Sequence, residues 1–152
     1  MELQKTRLNR PLGTSKLQNA TRIILGLFMI AAGIGHLTFQ RKEFQAQVPN
    51  WVPLGKDLTV IGSGLVEISL GLALLFAKNQ RQRTGIALAA FYVLVFPGNI
   101  AQYTNHTDAF GLNTDQARLT RLFFQPILIL LSLWSTGVFH RAKRKTITSA
   151  SQ

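Results

Sequence analysis

The chain has 152 residues, of which 47% are hydrophobic and only 15% charged, and its formal net charge is +11. That balance leans away from a water-soluble domain, and the basic residues flank apolar blocks instead of forming a stripe with interleaved aromatics, which argues against nucleic acid as a partner. There is no cysteine, so disulfides, thiol relays and iron–sulfur clusters held by this chain alone are excluded.

In chain order, residues 1–19 are polar and basic, and the stretch Asn9, Arg10, Pro11, Leu12, Gly13, Thr14, Ser15 discourages any packed element, so a mobile basic arm is expected. Residues 20–39 form an apolar block whose one charge, Arg22, stands at its start. At about 1.5 Å per residue the block reaches about 30 Å, the thickness of a bilayer's hydrocarbon core. A competing reading of this block as a cleaved signal peptide, with Ala31-Ala32-Gly33 at the cleavage site, suits neither the long polar arm nor the length of the apolar run.

Residues 40–56 read as a polar loop around Val48-Pro49-Asn50-Trp51-Val52-Pro53, where two prolines exclude a regular helix. Pro49, Trp51 and Pro53 are expected to form a lid on the membrane surface, with Trp51 at headgroup level. A second block, 57–77, is broken only by Ser63 and Glu67, and the basic link 78–83 is short enough to make the third block, 84–103, an antiparallel neighbour. A soluble loop carrying Asp108 and Asp115 precedes a fourth block, 118–140, and the basic tail 141–152 reads as disordered.

The fold expected is therefore all-α, a four-helix transmembrane bundle over 20–140. Lys and Arg set its orientation. Lys5, Arg7, Arg10, Lys16 and Arg22, the link residues Lys78, Arg81 and Arg83, and the tail residues Arg141, Lys143, Arg144 and Lys145 lie on one side. Arg41, Lys42, Lys56, Arg118 and Arg121 lie on the other. The richer side predicts cytoplasmic N and C termini and a multi-pass protein of the cell membrane.

Glu67 stands ten residues into the second block, about 15 Å deep at 1.5 Å per residue, near the bilayer midplane. A carboxylate there either takes a proton or finds a cation, and Arg121 is the expected partner. Helical spacing puts Ser63 with Glu67 on one face and Arg121 with Gln125 on another, Asn99 and Gln102 lie just after the helix-disturbing Pro97-Gly98, and His36 is one turn from the outer end of its block. All seven fall in the half of the membrane away from the cytoplasm, which predicts a polar pocket opening outward. The plainer alternatives are a structural Glu67–Arg121 pair, a helix-packing His36, and amides that bridge helices or serve carbonyls freed by Pro97. Gly26, Gly33, Gly62 and Gly64 read as close-packing positions. His36, His106 and His140 lie at different depths without ligand spacing, so no metal site is expected, and no phosphate loop or nucleophile elbow is present.

Gly35-His36-Leu37, the Pro49-Asn50-Trp51 loop, Ser63-Gly64 with Glu67, Phe96-Pro97-Gly98-Asn99-Ile100, and Arg121 with Gln125 together give the chain, over roughly 20–138, an order of short motifs. In this it resembles the DoxX-like membrane proteins, although Gly98 stands where many relatives have alanine. The resemblance implies a four-helix bundle of bacterial cytoplasmic membranes. It also implies kinship with a subunit of a thiosulfate:quinone oxidoreductase, with accessory subunits of oxidative-stress complexes and with receptor-assembly chaperones.

The leading expectation for function is an accessory or binding subunit, not an enzyme on its own, that holds a partner protein or small amphiphile through the pocket. The alternative is a quinone-interacting subunit of a membrane oxidoreductase complex, with His36 or Glu67 exchanging protons. That role needs a redox partner, since no intrinsic cofactor is expected and lipid quinone is the external one that suits the pocket. A small transporter is a third reading, limited by having only four helices.

Overall fold

A computed structural model describes residues 13–139 and is built of helices. In chain order they are α1 (Lys16–Leu37), α2 (Arg41–Gln47), α3 (Lys56–Phe76), a 3-10 turn (Lys78–Gln80), α4 (Arg81–Thr104) and α5 (Asp115–Ser135). Among the described residues, four helices, α1, α3, α4 together with its 3-10 turn, and α5, are long and apolar enough to cross a membrane. Their outward faces carry large apolar side chains, such as Leu94 at 79% and Phe123 at 65% exposure, as lipid contact requires.

The first helix begins four residues before the apolar block. Ser15 accepts a hydrogen bond from the Gln18 backbone N–H at 3.1 Å while the Gln18 side chain accepts from the Ser15 N–H at 2.9 Å. This reciprocal cap starts α1 at Lys16, so residues 16–19 of the expected arm are helical. Gln18 is buried, and its amide donates to the Trp134 carbonyl at 2.8 Å, tying the start of α1 to the end of α5. Residues 1–12 and 140–152, which contain most of the expected arm, His140 and the basic tail, lie outside the described residues.

The expected loop 40–56 contains a short helix, α2. Its prolines act only after it ends. Val48, just before Pro49, is extended at φ −71° and ψ 119°, the conformation a following proline favours. Arg41 and Gln45 of α2 both bond Asp57 in the first turn of α3, at 2.5 Å each, and so hold α2 across the end of the bundle. Nor does Pro97 end its helix; α4 runs through it to Thr104. The carbonyl of Tyr92, next to the one that Pro97 leaves without an i+4 donor, receives the Gln125 amide at 2.8 Å.

The two dominant pairings are α1 with α3 and α4 with α5. Glycine permits the first. A Cβ on Gly33 would lie 2.6 Å from the Gly64 carbonyl oxygen, and one on Gly71 would lie 2.7 Å from that of Gly26. The pairs 33 with 64 and 26 with 71 run in opposite senses, so α1 and α3 are antiparallel with their backbones in contact at two levels. Gly62, expected at this seam, faces open space, and Gly71 takes the place foreseen for it. Leu25, Met29, Leu74, Leu88 and Tyr92 form the buried core between the pairs.

Gly33→Leu or Gly64→Leu should lower stability by about 1–3 kcal/mol through overpacking at the seam, whereas Gly62→Leu should change it by less than about 0.5 kcal/mol. Thermal unfolding of the three variants in detergent checks the contrast, and equal losses would contradict the seam.

Candidate functional site

Between the two helix pairs lies a cavity of about 700 Å³. Phe28, Phe91, Val95, Phe124 and Leu128 make its apolar wall, and His36, Gln47, Glu67, Asn99, Arg121 and Gln125 supply its polar groups. Five of the seven residues expected at a polar pocket thus reach one cavity. Ser63 and Gln102 do not line it. Ser63 donates to the Val60 carbonyl of its own helix at 3.0 Å. Gln102, 1% exposed, donates to the carbonyls of Thr107 and Ala109 and accepts from Gln47 at 2.6 Å, so it braces the cover from behind.

Helical side chains lean toward their own N-terminus. In the antiparallel α1–α3 pair, His36 therefore leans back toward the Gly33 level and Glu67 toward the Gly64 level, which face each other. The two side chains converge, with His36 Nδ1 2.8 Å from Glu67 Oε2. His36 Nδ1 is also 2.9 Å from the Ala32 carbonyl, which can only accept, so this nitrogen carries the hydrogen and directs it there. Glu67 Oε2 consequently sits beside the ring, buried, without a well-aligned donor.

The expected Glu67–Arg121 pair is not formed. Glu67 belongs to α3, whose close partner is α1, and the seam gives it His36 instead. Arg121 Nη2 donates to Gln47 Oε1 at 3.2 Å, and its guanidinium carbon stands 4.6 Å from the centroid of the Phe110 ring. Desolvation on both sides gives each charge a reason to be paired, and neither is paired with the other.

The cover also differs from expectation. Trp51 is 72% exposed and, with Pro49, lines a separate groove along α4 near Pro97; Pro53 is exposed as well, and none of the three lines the cavity. The roof is aromatic instead. The Phe44 ring stacks on His36 at 3.3 Å, and Phe110 meets Phe44 edge-on at 4.6 Å. Phe44 and Gln47 come from α2, one turn apart on one face. Reading 41–47 as a helix would have exposed that spacing, but the nearby prolines masked it.

Polar ties fix the roof. The Glu43 carboxylate accepts from the Phe110 N–H, where the backbone turns through φ 58°, and Arg118, 5% exposed, pairs with Asp108 and, at 2.6 Å, with Asp115. Hydrogen bonding to Asp57 raises the Arg41 guanidinium above its ordinary value, so that tie stays charged. On the opposite wall Asn99 donates to Gln125 Oε1 at 2.9 Å, and Gln125 donates to the Tyr92 carbonyl, which orders both amides. Of the alternatives weighed for Asn99 and Gln102, both bridge helices, Asn99 to Gln125 of α5 and Gln102 to Gln47 of α2.

Gln47→Leu should destabilise the protein by about 1–3 kcal/mol, because Gln102 Oε1 loses its buried donor; an unchanged unfolding midpoint would show that the tie contributes nothing.

Among the described residues no group of three His, Asp or Glu is arranged to hold a metal ion. Neither the curated proteins nor the solved structures hold a match to this chain. A family model described as a domain of unknown function, DUF8561, matches residues 25–136, the span from the third turn of α1 to the end of α5, and the chain belongs to that family.

Proposed function

We propose that this chain is a multi-pass protein of the cell membrane that binds a small amphiphile within its helix bundle and acts as a binding or accessory subunit. The observation that carries the reading is the cavity of about 700 Å³ with apolar walls and its polar groups gathered under the α2 roof. Small-molecule sites typically occupy about 300–1,000 Å³ and combine apolar lining with a few convergent polar groups. In a bilayer-spanning bundle such a wall suits a hydrocarbon chain and the polar end suits its head.

The distribution of Lys and Arg supports cytoplasmic termini, and with them a polar end on the non-cytoplasmic side. The resemblance to DoxX-like proteins stands as part of the same proposal. A partner protein belongs to the same proposal.

A second reading, a subunit that docks lipid quinone, is favoured by one observation: His36 and Glu67 touch at 2.8 Å and both line the cavity. An imidazole and a carboxylate side by side can relay a proton to or from a bound carbonyl. Electrons would come from a partner that carries a flavin or metal.

Purification in a mild, lipid-preserving detergent followed by mass spectrometry tests both readings. Wild type should retain about one amphiphile per chain, and Leu128→Trp, which fills the apolar wall, should lose most of it. Equal retention by the two proteins would contradict binding in the cavity, and a quinone accompanied by a flavoprotein would favour the second reading.

A further inference from the structure

The cavity contains one carboxylate and one guanidinium that do not meet. Glu67 is 8% exposed and lines the cavity together with Arg121, yet no ion pair joins them among the described residues. Arg121 is directed at neutral groups, the Gln47 side-chain oxygen and the face of Phe110. Glu67 accepts no well-aligned hydrogen bond, because the His36 Nδ1 hydrogen is aimed at the Ala32 carbonyl. Asn99 and Gln125 are hydrogen-bonded to one another and to the Tyr92 carbonyl, and neither is bonded to Glu67 or Arg121. Glu67 has only the misaligned His36 nitrogen at 2.8 Å and Arg121 only neutral groups, and buried charges so placed are costly unless a ligand completes both.

We infer that the occupant is a single-chain amphiphile with a zwitterionic head, whose oxyanion takes the Arg121 fork and whose ammonium donates to Glu67. The inference rests on the amphiphile-binding role proposed above. A purely anionic head would satisfy Arg121 but bring a like charge toward Glu67, and a neutral head would leave both charges uncompensated. A phosphate monoester carries about −1.5 to −2 at neutral pH, more than one guanidinium offsets. A phosphodiester carries a single charge, and a primary ammonium beside it offers N–H donors to a carboxylate. Lysophosphatidylethanolamine joins these two groups to one chain, which the Phe28, Phe124 and Leu128 wall receives.

The test is equilibrium binding to the full chain in detergent of four probes: lysophosphatidylethanolamine, lysophosphatidylcholine, whose ammonium has no N–H, palmitate, and monopalmitoylglycerol. Wild type should bind the ethanolamine lipid about tenfold more tightly than the choline lipid, as one charge-assisted hydrogen bond warrants. Glu67→Gln should erase that preference, weakening the ethanolamine lipid more than the choline lipid, which loses only the attraction of its quaternary ammonium to the carboxylate. Arg121→Gln should weaken both lysolipids about tenfold or more, and Arg121→Lys, which keeps the charge without the fork, should restore part of the loss. Equal affinity of wild type for the two lysolipids, or tighter binding of palmitate than of either, would overturn the zwitterionic head while leaving amphiphile binding intact. Failure of all four probes to bind would overturn the amphiphile-binding role itself.

Discussion

Backbone contact between α1 and α3, with glycine at each of four contact positions, is the constraint from which the geometry of the cavity follows. Gly33 against Gly64 and Gly26 against Gly71 let the two helices approach until carbonyl oxygens stand where side chains would otherwise lie. Because the pair is antiparallel, side chains one turn beyond each Gly33–Gly64 position lean back to the same level, and they are His36 and Glu67. The second pair, α4 with α5, is joined to the first through a small core at Leu25, Met29, Leu74, Leu88 and Tyr92. Closing two pairs around a narrow core leaves space beside it, and that space is the cavity.

The roof is a separate construction on the same end of the bundle. Phe44 covers His36, Phe110 covers Phe44, and Arg121 lies over Phe110, so an unbroken series of ring contacts connects α1 to α5 across the opening. Each segment in that series is anchored by polar bonds away from the cavity: Arg41 and Gln45 to Asp57, Glu43 to the Phe110 amide, and Arg118 to Asp108 and Asp115. These anchors join the ends of the long helices to the segments between them. The roof can therefore be well ordered without depending on burial of large apolar area.

Much of the fold was legible because lipid imposes a length and a composition on any segment that crosses it. The four apolar blocks correspond to α1, α3, α4 and α5, with ends displaced by up to five residues where caps and turns decide. The start of α1 depends on a Ser15–Gln18 cap in a stretch that reads as polar coil. Helical spacing also sorted polar side chains onto faces, and His36, Glu67, Asn99, Arg121 and Gln125 do line one cavity. Spacing does not say which helix lies opposite which. Charge alone points Glu67 to Arg121, whereas the neighbour of α3 is set by the glycine seam, whose second level needs Gly71 and not Gly62. The α2 helix was hidden for a local reason: the prolines that end it at Val48 were read as excluding it altogether.

If the chain binds an amphiphile in the orientation proposed, the polar end of its cavity faces water on the non-cytoplasmic side. The chain has no cysteine of its own, so a single introduced thiol reports cleanly on its surroundings. Thr120 lines the cavity near its polar end, and Phe123, three residues on, is exposed on the outer surface of the same helix and is not part of the cavity lining. The most direct measurement is labelling of Thr120→Cys and Phe123→Cys in intact cells with a membrane-impermeant maleimide. The account predicts that Thr120→Cys reacts from outside and Phe123→Cys, facing lipid, does not. Reaction of Thr120→Cys only after permeabilisation, or equal reactivity of the two positions, would contradict it.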